Sequence, residues 1–330
     1  MNVAKNSFAS VDPALQPTSV GLFEIKVNGK ATQVPSVALG GRTVIVMGTW
    51  VKIAKIWDED FVEDEPVHDP AWFVSELEKT ALNADILTFA QHLPDAAPRH
   101  SYYHEWDNFA VIPITTFQEW WTGVGHDIQK ALRKANKSGI VVREVEFNDA
   151  LVRGIQGIYN ESSIRQGRRF WHYQKDFDSV KAENSTYADR NLFLGAYFED
   201  ELIGFVRLTF VGRIAQFLQI LSQKKHQGKN PTNALIAKAI QVCEERGKTH
   251  LVYGNYIYQD SNSSLTEFKR RNGFQQILVP RYYIPLTRKG KLALALKLHH
   301  GIKEVLPKRL LRVLLKGRKW FNNSLITRLK

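Results

Sequence analysis

At 330 residues with 44% hydrophobic side chains, the chain is long enough for two globular domains, each burying its own core. A single cysteine rules out an intramolecular disulfide, and no run approaches the ~18 uninterrupted apolar residues of a membrane-crossing helix. The net charge of +12 is concentrated in residues 288–330, where 13 Lys or Arg face one acid, Glu304, and the rest balances at 32 bases and 32 acids. A duplex-binding domain would carry its basic footprint on the folded body, so the excess reads as a tail that docks on an anionic partner.

Residues 1–20 mix prolines and polar residues without an apolar segment, which predicts a disordered lead-in that is neither a signal peptide nor an anchor. Residues 22–57 read as β structure, with turns at Asn28-Gly29 and Gly40-Gly41. The acid-rich segment 58–69 is expected to be a surface loop. Asp69 followed by Pro70 opens a helix with Phe73, Leu77 and Leu82 on its apolar stripe. Residues 84–90 form the next strand, residues 92–108 a loop whose Glu105 to Asn108 end either faces a cleft or buries Trp106, and residues 109–114 resume the sheet.

Thr116 caps a helix carrying Trp120 and Trp121, and a second helix ends at Gly139. Lys130, Arg133, Lys134 and Lys137 line one face of that second helix, as a phosphate grip or a solvated surface. A strand over 140–147 leads to a helix started by Asn148, with Leu151, Ile155, Ile158 and Tyr159 inward. Next comes the densest polar-aromatic cluster, Ser163 to Tyr173. Arg165, Arg168 and Arg169 offer forks for carboxylate or phosphate, and Trp171, His172 and Tyr173 offer stacking faces, so the cluster is a candidate acceptor pocket with Gly167 at its turn. The runs 191–198, 202–210 and 214–222 read as an antiparallel meander.

The meander feeds a strand-loop-helix-strand unit from Ala215 onward. Its polar loop spans Lys224 to Asn230. Asn230 is expected to cap the following helix, Pro231 suits its first turn, Gly247 stops it, and Ile236, Ile240 and Cys243 mark its buried face. A helix N-terminus suits a phosphate or carboxylate of a bound acyl donor. No HExxH or CxxC spacing suggests a metal, His299-His300 read as interfacial, and no nucleophile elbow occurs. Direct attack of an amine on a thioester or ester in a ternary complex is the remaining route.

The run Leu251 to Tyr258, the patch Leu265 to Phe274 and the returning strand 279–286 resemble the C-terminal half of FemABX-type transferases of the GNAT acyltransferase superfamily. Envelope- or polysaccharide-linked acetyltransferase-like proteins share that layout, and the resemblance covers most of Leu22 to Leu286. It implies a mixed α/β (α+β) fold of two tandem GNAT-like domains, each a largely antiparallel sheet flanked by helices, plus a basic helical tail. The boundaries are a degenerate N-terminal domain over 21–125, an acyltransferase domain over 126–287 and the tail over 288–330. The resemblance further implies an oxyanion donor near Gln219 to Leu221, donor contacts at Gly228, Asn230 and Asn233, and charge stabilisation by Lys269 of the Phe268-Lys269 pair, reinforced by Arg270 and Arg271. Where the superfamily has a glycine-rich pyrophosphate turn, this chain has Gly228 alone, so acyl-CoA (acetyl-CoA) and aminoacyl-tRNA both stay open as donors. Tyr253 and Tyr256, with Tyr258, are candidate proton donors. The acceptor is expected to be the amino group of an envelope, sugar or peptide precursor at the cytoplasmic face of the inner membrane. A small-molecule N-acetyltransferase using acetyl-CoA and a non-catalytic scaffold binding membrane or nucleic acid are the rival readings. Leu310, Leu311, Leu314 and Leu315, flanked by cations and followed by Trp320-Phe321, predict that 307–330 lies on anionic lipid.

Overall fold

The computed structural model describes residues 19–27, 30–165, 167–258 and 263–301. The Asn28-Gly29 turn and the apolar stripes of residues 302–330 lie outside them.

The first half opens with three antiparallel strands, β1 (Gly21–Val27), β2 (Lys30–Leu39) and β3 (Arg42–Met47), with β4 (Ile53–Ile56) paired on β3. Helix α1 (Pro70–Glu78) starts where expected, because the Asp69 carboxylate accepts from the N–H groups of Ala71 and Trp72 at 3.0 Å. Phe73 and Leu77 are buried on α1, whereas Leu82 is buried beyond its end. β5 (Ile86–Ala90) runs parallel to β4 and is buried along its whole length, being covered on both faces. The segment predicted as a loop up to residue 108 is already a strand from His104: β6 (His104–Pro113) pairs with neighbours on both sides, and those ladders override its polar composition. Trp106 is exposed rather than buried.

Helices α2 (Phe117–Gly123) and α3 (His126–Lys137) follow, and the Thr116 hydroxyl accepts from Glu119 N–H as an N-cap. Lys130, Arg133, Lys134 and Lys137 all face solvent on α3. β7 (Val141–Val145), α4 (Asp149–Asn160), the short hairpin β8 (Ile164–Arg165) and β9 (Arg168–Arg169), and α5 (Phe177–Asn184) come next. Helix α5 had no expectation from sequence; the Asp176 carboxylate caps it by accepting from Ser179 N–H at 2.8 Å. The meander is β10 (Asn191–Phe198), β11 (Glu201–Val211) and β12 (Ile214–Ser222). Helix α6 (Pro231–Glu245), β13 (His250–Asn255), α7 (Ser264–Arg271), β14 (Gln275–Pro285) and α8 (Arg288–Ala295) complete the described chain.

Twelve of these strands form one continuous sheet in the order β1-β2-β3-β4-β5-β14-β6-β13-β12-β11-β10-β7. The two halves exchange strands at its centre. β14, the last strand among the described residues, pairs with β5 of the first half, and β6 of the first half lies between β14 and β13. The larger core packs α2, α3 and α6 on one face of the second half, with Leu235, Ile236, Ile240 and Cys243 at its centre. On the opposite face α4 and α5 bury Leu151, Ile155, Ile158, Tyr159 and Val180 against Phe193 and Phe205. Burial lifts the Cys243 thiol to about 12, so it is a packing residue.

Candidate active site

β12 and β13 are parallel but pair only over Ile214–Gln216 and His250–Val252, after which they part. On its other edge β12 carries a bulge: Arg207 faces Gln219 and Leu208 faces Phe217, which leaves Leu218 unmatched. The parting leaves β13 carbonyls without ladder partners, and a buried carbonyl must find a donor. Lys269 supplies it. Its ammonium donates to the carbonyls of Tyr253 (2.9 Å) and Asn255 (2.5 Å) and lies over the rings of Tyr253 and Tyr258, 4.5 and 4.7 Å from their centroids.

Lys269 and Thr266, rather than Leu265 and Phe268, are therefore the fully buried side chains of α7. Burial pulls the Lys269 ammonium down to about 8. Arg270 and Arg271 do not join it: Arg270 pairs with Glu267 at 2.7 Å and Arg271 with Asp127, both at the surface. The three tyrosines do not share a strand face, because β13 ends at Asn255 and Gly254 turns with φ near 54°. Tyr253 is held against Phe217 and Phe274, its phenol pushed up by burial and by Tyr258. Tyr256 packs at the edge of the same core, and Tyr258 is exposed.

Past β12, residues Lys224–Lys229 form a short 3-10 turn. Asn230 does not cap α6 with its side chain. It adopts the left-handed conformation (φ 59°) that asparagine tolerates, and its amide faces the Ala131 carbonyl at 3.4 Å. Gly228 has a negative-φ backbone and open space around it. Asn233 reaches from the first turn of α6 to Asn272 at the end of α7 (2.9 Å). The first N–H groups of the turn are occupied: Glu161 accepts from Lys224 (2.7 Å) and Lys225 (2.9 Å).

Glu161 caps the end of α4 just before the arginine-aromatic segment, and Arg165 of that segment reaches the end of β12, so the two stretches lie side by side. Arg165 is spent on structure, donating to the carbonyls of Ser222 and Ile158 at 2.9 Å and stacking over Phe170. Arg168, Arg169 and Trp171 are exposed, with Gly167 in the positive-φ turn between the arginines. Tyr173 is half-buried, its N–H donating to the Phe170 carbonyl. His172 is buried, and burial, Lys175 and Arg165 lower it to about 3, so its imidazole is neutral. It lies 3.1 Å from the Gln219 amide, whose oxygen accepts from the Tyr159 hydroxyl at 2.6 Å. Gln219 thus points to α4, as does Leu221, which packs on the same cluster.

Between the halves lies a cleft of about 290 Å³, walled by Asp60, Glu63 and His92 and floored by Phe109, Gln216 and Val252. The segment 58–69 is only partly a surface loop, since Glu59 is buried against Arg281 at 2.6 Å. Arg281 also holds Asp107 at 2.7 Å. Crowding by protein raises the carboxyl of Asp60, with Glu59 adding to it, and that of Asp107, against the pull of Arg281. Sequence reasoning passed over these acids. Glu59 was visible as one charge in an acid-rich run, but its partner Arg281 lies on β14 and no spacing rule links them.

Residues 159–274 match the Acetyltransferase (GNAT) family. Over that stretch, about a third of its length, the chain is similar to GNAT acetyltransferases. Its overall fold is similar to the crystal structure of FemX, at 11% identity over 84% of this chain and 90% of that one, with a TM-score of 0.55. L-PGS from Bacillus licheniformis matches at 11% identity over 75% and 82% (TM-score 0.48), and the PaiA N-acetyltransferase from Thermoplasma acidophilum in complex with coenzyme A at 18% over 44% and 99% (TM-score 0.32). A search of curated proteins found no match. The likeness to FemX is one of fold, a mixed sheet with flanking helices as the resemblance implied, and the match over 159–274 is to acetyltransferases. Among the described residues no helix is long and apolar enough to cross a membrane.

Proposed function

We propose that the chain moves an acyl or aminoacyl group from acyl-CoA or aminoacyl-tRNA to an amino group of a cell-envelope or polysaccharide precursor, by direct attack in a ternary complex. The observation that carries this reading is the parting of β12 from β13 after three paired residues each: the last paired residues, Gln216 and Val252, line the acid-walled cleft, and the turn before α6 follows the end of β12. A C–N bond forms to the acyl carbon as the C–S bond of a thioester, or the C–O bond of an aminoacyl ester, breaks. Asp60 on the cleft wall, or Asp107, takes the amine proton, burial having raised both carboxyls and so made them stronger bases than ordinary aspartates. Lys269 supplies positive charge where the oxyanion forms, Tyr253 and Tyr256 line the same opening, and the leaving thiolate or ribose oxygen is protonated from solvent. Arg168, Arg169 and Trp171 contact an anionic part of the acceptor; His172 and Tyr173 support that wall.

The donor lies along Gln219 and Leu221 toward Gly228, Asn230 and Asn233. FemX points to an envelope-linked acceptor and the coenzyme A complex to acetyl-CoA; the acid cleft, which favours a cationic amine, supports an amino acceptor in either case. We read the halves 21–125 and 126–287 as tandem GNAT-like units that exchanged their terminal strands, the first degenerate, in a cytoplasmic protein whose tail 307–330 touches the inner membrane face. Thermal unfolding with acetyl-CoA, with aminoacyl-tRNA and with neither tests the donor. A ligand at 100 times its Kd adds about 2.7 kcal/mol. Stabilisation by neither donor overturns the catalytic reading in favour of a scaffold.

A further inference from the structure

The described chain ends on a short 3-10 turn, Leu298–His300, after α8. That turn returns both of its histidines to β6, 194 residues earlier in the sequence. The Nε2 atom of His299 lies 3.1 Å from Glu105 Oε1, and that of His300 lies 3.0 Å from Oε1 and 2.9 Å from Oε2. One ligand atom from each of the three residues falls within 4.8 Å of the others.

We propose that Glu105, His299 and His300 bind a divalent transition metal of the zinc class, which fastens the segment after α8 to the first half of the sheet. The donor set suits a borderline ion: two imidazole nitrogens and one carboxylate are zinc ligands, whereas magnesium and calcium take oxygen alone. Spacing suits it too. Four-coordinate zinc, with bonds of about 2.0–2.2 Å, separates its ligand atoms by roughly 3.3 Å, so the nitrogen-oxygen distances here need only a few tenths of an ångström of opening.

The ligands are also held in place. Tyr103 donates to Glu105 Oε1 at 2.9 Å, the outer contact that orients a ligating carboxylate. The His299 ring is buried edge-on between Tyr103 and Tyr283, with centroids 6.3 and 4.8 Å away. His300 is exposed, which leaves an entry path and room for water as a fourth ligand. Lys289 on α8 is engaged with Asp85 rather than with Glu105. None of this touches Lys269 or the β12–β13 opening, so the role is a clasp, not catalysis.

The test uses the full chain, stripped with EDTA and titrated with cobalt(II) and zinc chloride. Expected are one equivalent of bound metal, the visible absorption of low-coordinate cobalt and its displacement by zinc. His300→Ala, at an exposed position, and Glu105→Gln should each weaken binding at least ten-fold, with the fold unchanged by circular dichroism. Absence of stoichiometric binding, leaving three hydrogen-bonded side chains, would overturn the proposal. So would binding that both variants retain.

Discussion

Lys269→Met is the most informative perturbation, because methionine keeps most of the volume and removes only the ammonium. In the native protein that ammonium satisfies two buried carbonyls of β13, and each acceptor left unpaired costs about 1–3 kcal/mol. Against this, methionine avoids the desolvation that depresses the lysine from 10.5 to about 8, a relief of at most ~3 kcal/mol. The expected net loss at pH 7 is about 1–3 kcal/mol, read from urea unfolding. The pH dependence separates the two terms. Between about 8 and 10.5 the unfolded chain binds more protons than the folded one, so the native protein gains stability as pH rises through that window, and the variant, which has nothing to titrate there, does not. The gap between them should widen by up to about 3 kcal/mol from pH 7 to 10.5. Turnover, if Lys269 stabilises the oxyanion, should fall roughly 100-fold or more. A constant gap would show a lysine of ordinary pKa, and full turnover in a folded variant would remove Lys269 from the chemistry.

Arg168→Gln with Arg169→Gln should raise KM for an anionic acceptor, each lost charge-assisted bond being worth about 1.5–3 kcal/mol, while the donor Kd holds; the reverse pattern would exchange donor and acceptor walls. Asp107→Asn and Asp60→Asn, compared by kcat/KM against pH, should identify the base: the carboxyl that acts must lose its proton, so activity rises with pH above the ordinary aspartate range and the responsible variant loses that limb. The stability term has the opposite sign, since a raised carboxyl contributes stability at acid pH that is lost as pH climbs through its folded value. Gly290→Ala should destabilise by about 3 kcal/mol in thermal or urea unfolding, because its Cβ would sit 1.9 Å from the Asp85 carbonyl oxygen; an unchanged midpoint would mean that α8 is not held against β5.

Local features were legible because they depend on neighbours in sequence. Asp69-Pro70, Thr116 and Asn148 each start a helix where capping chemistry requires it, and the 191–222 meander follows from alternating apolar runs and tight turns. Lys269 was legible as a motif but not in its setting: helical spacing alone would turn the apolar Leu265 and Phe268 inward, whereas the demand of two orphaned carbonyls on β13 outweighs the cost of burying an amine. Arg165 was misjudged for the same reason, its guanidinium closing on carbonyls at Ile158 and Ser222. The cleft acids and the Glu105 histidines were illegible because each depends on a contact across more than a hundred residues.

The exchange of β6 and β14 has a consequence for how the site is held. β13 borders the opening, and its other edge is carried by β6, a strand of the first half; β6 in turn pairs with β14, which completes the first half. In the continuous sheet the opening between β12 and β13 is thus braced by a ladder to which strands of both halves contribute. Arg281 places an ion pair on that brace, joining Glu59 of the first half to Asp107 on β6. Arg281→Met leaves the buried Glu59 and the half-buried Asp107 without their cation, a change expected to cost about 2–3 kcal/mol, less than for a fully buried pair because Asp107 keeps contact with water. If the halves share one cooperative unit, amide hydrogen exchange in β12 and β13 should quicken along with that in β5. Faster exchange confined to β5 and β14 would show that the first half opens alone and that the active-site brace does not depend on it.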